Sequence, residues 1–166
     1  MSLPRVAAAG QVMENALAFD AGGNPAIGYY DASSGALKLA RWTGDAWRLE
    51  VVDSAADVGS YTSLAFDSGD FPVISYHDWT NGDLKLARFA GDKWDIAVVD
   101  HEGDVGIMTS LVIDGVRSRA HVVYDGHGQS AMTGVSAGSL LRCRRWRPAV
   151  RSRKRGWMGG REDREQ

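Results

Sequence analysis

Four histidines are the first candidates for chemistry in this chain: His77, His101, His121 and His127. None has the paired spacing of a metal site such as H-E-x-x-H. His101-Glu102-Gly103-Asp104 is a loop that could hold a cation, with Glu102 and Asp104 as weak candidate ligands. The matching stretch Ser54-Ala55-Ala56-Asp57 keeps only the aspartate, so no metal is assigned and no cofactor is implied. Serine, histidine and aspartate are all present, but no G-x-S-x-G elbow positions a nucleophile. There is no G-x-G-x-x-G and no P-loop. Pairs of aspartates could act as glycosidase carboxylates a few ångström apart. They recur along the chain, however, and one active site does not need copies. No catalytic residue is assigned.

The recurrence is the strongest signal in the sequence. Asn15–Tyr61 and Thr62–Met108 align without gaps, with 24 identities in 47 positions. A period of this size belongs to propeller and solenoid arrays. The recurring polar residues are Asp20/Asp67/Asp114, Asp31/Asp78/Asp125, Asp53/Asp100 and Asp57/Asp104. Aspartate at a strand end reads as a turn residue whose carboxylate accepts backbone N–H groups. Lys38/Lys85 and Arg41/Arg88 recur on one strand. The lysine and arginine of a copy face opposite ways there, and they are expected to pair with neighbouring aspartates. Trp47 and Trp94 recur after a Gly-Asp turn and read as anchors between units.

The elements that position these residues are short. The first copy has four apolar runs: Leu17–Asp20, Pro25–Asp31, Ala36–Trp42 and Trp47–Asp53. Their length, their β-branched and aromatic content, and the Gly, Asn and Asp between them predict strands joined by hairpins. Pro25 and Pro72 stand at strand starts, where a missing N–H costs least. Four antiparallel strands make one propeller blade. On the second strand of the second copy, Ile74 and Tyr76 face one way, Val73 and Ser75 the other. Both faces are apolar or small, which fits a sheet covered on both sides. The expected fold is all-β: a β-propeller-like array of four-stranded antiparallel blades, about two and a half of them, in an incomplete ring.

The expected division is as follows. Residues 1–14 hold the remnant strand of a preceding blade, Ser2–Val6, and a connecting loop, Ala7–Glu14. Residues 15–61 are the first blade, 62–108 the second and 109–128 a partial third. Residues 129–166 are a basic tail.

The pattern S-L-A-x-D, I-S-Y-x-D, G-D-L-K-x-A, G-x-x-W, V-V-D, D-V-G resembles a tandem repeat of bacterial, often exported, propeller-like proteins. The likeness covers about residues 2–128, and its period makes it specific for architecture. The layout Y-x-D-x-x-x-G-x-L-K-x-A-x-x-x-G-x-x-W is also similar to blades of fucose-binding propeller lectins. Those lectins use an Arg, a Glu and an aromatic residue between adjacent blades. The resemblance implies Arg41/Arg88 and Trp42/Phe89 for two of those parts; no Glu recurs to match the third. The Asp-box of sialidase propellers is absent.

The overall charge of -2 hides a split. Residues 1–128 carry 9 Lys+Arg against 18 Asp+Glu, and residues 129–166 carry 10 against 3. The single cysteine, Cys143, excludes a disulfide within one chain. Met1–Gly10 lacks the apolar core of a signal peptide. No apolar run approaches the roughly 20 residues of a membrane helix. A soluble chain of unknown compartment is expected.

After Asp125 the repeat text gives way to an Arg-rich sequence. Three readings compete: a basic arm for nucleic acid or an acidic surface, an amphipathic helix from Ser139, and an out-of-frame translation. The last is favoured because the break falls inside a blade. Nucleic acid is not expected as a partner unless this tail is genuine. Having few apolar residues to bury, the tail is expected to be disordered or locally helical.

A closed ring takes about 4–8 blades. The chain therefore reads as a fragment, a frameshifted product, or a protomer that self-associates through exposed blade faces. The function expected is a non-enzymatic binding or scaffold module for a protein or glycan. The alternatives are part of a propeller enzyme, such as a glycosidase or lyase, and carbohydrate binding of the fucose-lectin kind. The candidate surface joins Tyr30, His77 and Tyr124, which share one aligned position, with the D-V-G loops and Trp79, which stands where the first copy has Ala32. Arg41 and Arg88 complete the candidates.

Overall fold

Strands account for all the regular structure that the computed structural model describes. It covers residues 11–115, 119–126, 129–136 and 144–146, with Gly126 and the last two stretches as backbone alone. The strands run β1 (Val12–Phe19), β2 (Pro25–Asp31), β3 (Ala36–Trp42), β4 (Trp47–Asp53), β5 (Val58–Phe66) and β6 (Pro72–Asp78). They continue as β7 (Asp83–Phe89), β8 (Trp94–Asp100), β9 (Val105–Asp114), β10 (Arg119–Gly126), β11 (Gln129–Ser136) and β12 (Arg144–Trp146). They form three four-stranded antiparallel sheets, each taken in chain order: β1-β2-β3-β4, β5-β6-β7-β8 and β9-β10-β11-β12. The fold is an open, propeller-like, all-β array.

The turns follow from the aspartates. Asp31 accepts the Ser33 amide at 3.0 Å and Asp78 that of Thr80 at 3.0 Å, closing the β2–β3 and β6–β7 hairpins. Asp67 accepts the amides of Gly69 and Phe71 at 2.9 and 3.0 Å. These are the Asx-type bonds expected of the recurring aspartates. Two of the aspartates do more. The Tyr76 hydroxyl, on the second sheet, donates to Asp53 at the end of the first sheet at 2.7 Å. Tyr124, on the third sheet, donates in the same way to Asp100 on the second.

The core lies between sheets in two clusters. One gathers Leu37 and Leu39 of the first sheet with Leu64, Ile74 and Tyr76 of the second. The other gathers Val73, Leu84 and Leu86 of the second with Leu111, Val122 and Tyr124 of the third. Strand β6 feeds both, and all seven of its residues are buried. Two-sided cover explains why its sequence lacks polar alternation.

The inner strands depart from the expected bounds. Val12–Glu14 belongs to β1 instead of a connecting loop, and Val58-Gly59 and Val105-Gly106 open β5 and β9 instead of forming D-V-G loops. A bulge makes the extra length possible. Glu14, Tyr61 and Met108 all take left-handed backbone, at φ 49, 51 and 53. The chain kinks there and pairs again on the far side. The glycine is needed for a close approach. A Cβ on Gly59 would stand 2.8 Å from the Leu37 Cα, and one on Gly106 2.9 Å from that of Leu84. Val58 and Val105 are buried beside them.

The third sheet shifts the alignment by one residue. Ala120 lies opposite Ile113, whereas Pro72 lies opposite Phe66. Between these matching pairs the chain is thus one residue longer, and Tyr124 occupies the place of Tyr76 and not that of His77. Strands β11 and β12 lie within residues 129–166, and β11 pairs with β10 along its whole length. Ser2–Val6, Ser139–Cys143 and residues 147–166 lie outside the described residues.

Trp47 and Trp94 pair across their own hairpins, with Trp42 at 5.6 Å and Phe89 at 5.4 Å between ring centroids. Trp94 also packs against the core between the first two sheets.

Candidate functional site

Strands β3 and β4 run antiparallel, so Arg41 stands beside Arg48 and Leu39 beside Glu50. Side chains of such pairs share a face, and here that face looks toward the second sheet, where Leu39 is buried. Arg41 and Glu50 are half-buried and Arg48 is exposed. The β1–β2 turn adds Asp20 and Asn24. The second sheet adds Phe89 and the β7–β8 turn at Gly91. Together with Trp42 and Thr43 these residues line a cleft of about 370 Å³ between the first two sheets.

The electrostatics of the cleft are balanced. The Arg41 guanidinium carbon lies 5.7 Å from the centroid of the Phe66 ring, a cation–π contact that fixes its height. Asp20 accepts the Asn24 amide at 2.7 Å and its side-chain nitrogen at 3.1 Å. The bond from the Asn24 backbone holds the Asp20 carboxyl below the usual range against desolvation, and the Arg41 charge adds to it. Two guanidiniums and two carboxylates thus meet two aromatic rings. Such a set presents donors and acceptors to hydroxyl groups and apolar faces to C–H groups.

The same positions between the second and third sheets are spent differently. Arg88 donates to Asp67 through Nε at 2.9 Å and Nη2 at 2.5 Å. Burial pushes the Asp67 carboxyl up, but the Arg88 and backbone hydrogen bonds together hold it below its ordinary value. Asp95 stands in place of Arg48 and Ala97 in place of Glu50.

The remaining candidates lie at the opposite end of the strands. The Tyr30 hydroxyl donates to Asp57 at 2.6 Å, and that bond, with lesser help from burial, raises the phenol to about 12. His77 is wholly buried, with Nδ1 2.7 Å from the Val105 carbonyl and Nε2 3.5 Å from Asp104. Trp79 is half-exposed beside it. Tyr124 is buried against Asp100 and lies on the third sheet. The structure therefore brings His77 and Trp79 together, and leaves Arg41 and Arg88 at the other end. Glu102 and Asp104 are exposed. Among the described residues no three His, Cys, Asp or Glu side chains converge as a metal site would need. His127 lies outside the described residues.

Sequence reasoning read Asp20 as a turn residue only and passed over Asn24, Arg48 and Glu50. The available signal was departure from the repeat: Arg48 and Glu50 become Asp95 and Ala97, and Asn24 becomes Phe71.

No protein-family model matches the chain, and no curated protein does. Among solved structures, it is similar to a fucose lectin from Kordia zhangzhouensis in complex with methyl-fucoside. The TM-score is 0.52 at 15% identity, over 80% of this chain and 96% of that one. At this identity the likeness is one of fold. No helix among the described residues is long and apolar enough to cross a membrane.

Proposed function

We propose that the chain is a non-enzymatic glycan-binding module and that the cleft between its first two sheets takes the sugar. The observation that carries this reading is the gathering of Arg41, Arg48 and Glu50 with Trp42 and Phe89 around about 370 Å³. The volume suits one or two pyranose rings and lies at the small end of ligand pockets. In this reading a ring face packs on Trp42 or Phe89, while Arg41 and Glu50 bridge its hydroxyls. The recurring apolar residues hold the sheets, while Arg48 and Glu50, which depart from the repeat, complete a ligand site around the recurring Arg41. The fold likeness to a fucose lectin supports a sugar over a protein as the ligand.

A glycan array followed by calorimetry on the full chain tests the reading. Methyl-fucoside and other monosaccharides are the first probes. Arg41→Ala and Glu50→Gln are each expected to lower affinity by about tenfold or more, with the melting temperature unchanged. Turnover of a glycoside, or glycan binding that survives both substitutions, would overturn it.

A further inference from the structure

Three rings meet on the second sheet, at the end opposite the cleft. His77 lies edge-on to Trp79 with centroids 4.8 Å apart, and 6.1 Å from Tyr61. Tyr61 and Trp79 are 6.1 Å apart and inclined at 48°, two walls of a corner. Trp79 is 48% exposed, yet it is fixed in place. Its Nε1 donates to Ser60 Oγ at 2.6 Å, and its backbone N–H to the Asp57 carbonyl at 2.9 Å. Tyr61 is fixed as well: its N–H donates to Glu14 at 2.5 Å, and its carbonyl accepts the Thr109 hydroxyl at 2.7 Å. Packing does not require an indole at this position, because the first sheet has Ala32 there.

The charge around these rings is one-sided. The Glu14 carboxylate accepts from Tyr61 and that of Asp104 lies 3.5 Å from His77. Asp57 accepts from Trp79 through its backbone carbonyl, and its carboxylate accepts the Tyr30 hydroxyl at 2.6 Å without losing its charge. Among the described residues no lysine or arginine forms an ion pair with any of the three. Residues 30–38, 52–60, 77–85 and 99–107, which gather at this end of the first two sheets and the start of the third, hold eight carboxylates and two lysines. Both lysines are already engaged, Lys38 with Asp31 and Lys85 with Asp78 and Asp53. A second observation concerns His77. The Val105 carbonyl can only accept, so His77 Nδ1 donates to it. Nε2 is buried, has no hydrogen-bond partner and lies 3.5 Å from the Asp104 carboxylate.

We propose that Trp79 and Tyr61, with the carboxylates of Asp57 and Asp104, form a second binding site for a methylated ammonium group. The ring faces attract a cation through their quadrupole. The unneutralised carboxylates draw it in and repel anions. A trimethylammonium group can come from a choline-type head group or from a methylated lysine, and the site recognises what they share.

The test titrates choline and free trimethyl-lysine into the full chain by calorimetry, beside the uncharged carbon isostere of choline. The cations are expected to bind, and the isostere at least about tenfold more weakly. Trp79→Ala, which copies the residue of the first sheet, abolishes cation binding with the melting temperature kept. Trp79→Phe retains part of it, which guards against a loss caused by misfolding. Asp57→Asn with Asp104→Asn weakens binding several-fold. Arg41→Ala leaves it unchanged, so failure here is separable from failure of the glycan cleft. Preference for choline or for trimethyl-lysine tells the source of the group. No binding of either cation, equal binding of the isostere, or full binding by Trp79→Ala would overturn the proposal.

Discussion

The joint between the first two sheets and the joint between the second and third are built on one plan and finished differently. Leu37 and Leu84 fill matching places, as do Gly59 and Gly106 beside them. Tyr76 and Tyr124 each reach back to an aspartate on the preceding sheet. The differences are at the strand ends. At one end, Arg41 opens onto a cleft while Arg88 is bound to Asp67. At the other, Tyr30 donates to Asp57 while His77 faces Asp104. What is shared is packing, and what differs carries the exposed chemistry. A structural frame tolerates repetition, because each joint needs the same cover. A ligand site needs it at one joint only.

The shared plan can be broken first in the core, where the largest effects lie. Leu37→Ala and Leu84→Ala each empty a wholly buried position. Each is expected to lower unfolding free energy by about 2–5 kcal/mol. Urea denaturation of both variants reads the comparison directly. Equal losses mean equally packed joints, and a much smaller loss at Leu84 would show that the second joint is looser.

The arginines give the next contrast. Arg88→Ala strips the guanidinium from an Asp67 side chain that is only 2% exposed. Leaving that carboxylate unpaired is expected to cost about 1–3 kcal/mol. Arg41→Ala removes a charge resting on an exposed cleft and is expected to move stability by about 0.5 kcal/mol or less. In glycan binding the order reverses: Arg41→Ala loses it and Arg88→Ala keeps it. Melting curves and calorimetry on the same pair decide. If both variants lose stability alike, the two joints use their arginines for the same purpose.

Acid should act on both joints. Asp67 and Asp78 have carboxyls held below their ordinary value: burial opposes, and bonds from Arg88 and from Lys85 and Asn81 prevail. The Lys38 ammonium, followed by Ser33, holds Asp31 far down. A depressed carboxylate contributes stability that is complete above its unfolded value, about 3.9. That contribution is lost as pH falls through the lower folded values. Unfolding midpoints should therefore be flat across neutral pH and drop below about pH 4. In Asp67→Asn that acid limb should be shallower. An unchanged limb would show that Arg88 does not govern it.

Much of this frame was legible in the sequence because burial repeats. Strands β2, β3 and β4 begin and end where Pro25, Asp31, Gly35 and the Gly-Asp turn placed them. The inner strands were misjudged for a physical reason: a bulge at Glu14, Tyr61 or Met108 has no side-chain signature when the residue there varies. Tyr124 was set beside His77 because a one-residue lengthening of a turn is invisible without the pairing register. The cleft was only half legible. Arg41 recurs and Trp42 has an aromatic counterpart in Phe89, and both drew notice, while Arg48 and Glu50 do not recur and were passed over. A cross-strand neighbour is a fact of register, and register appears only once the strands are paired.

A small effect is also expected at Tyr30, and it sharpens the comparison at the end opposite the cleft. Its hydroxyl donates to Asp57 in an exposed setting. Tyr30→Phe therefore removes one solvent-accessible bond, and the stability change should be about 1 kcal/mol or less. Titration is the better probe. The bond to Asp57, and next burial, raise this phenol to about 12. The folded value lies above the unfolded one, near 10. The stabilisation is thus whole below the unfolded value and disappears as pH rises through the folded one. Phenolate absorbance should show one tyrosine fewer ionising at the top of the alkaline range in Tyr30→Phe than in the parent. Asp57→Asn should bring that tyrosine back toward its ordinary value. If Asp57→Asn leaves the alkaline limb untouched, the Tyr30–Asp57 bond does not hold the first joint in solution. At this end the two joints would then differ in His77 alone.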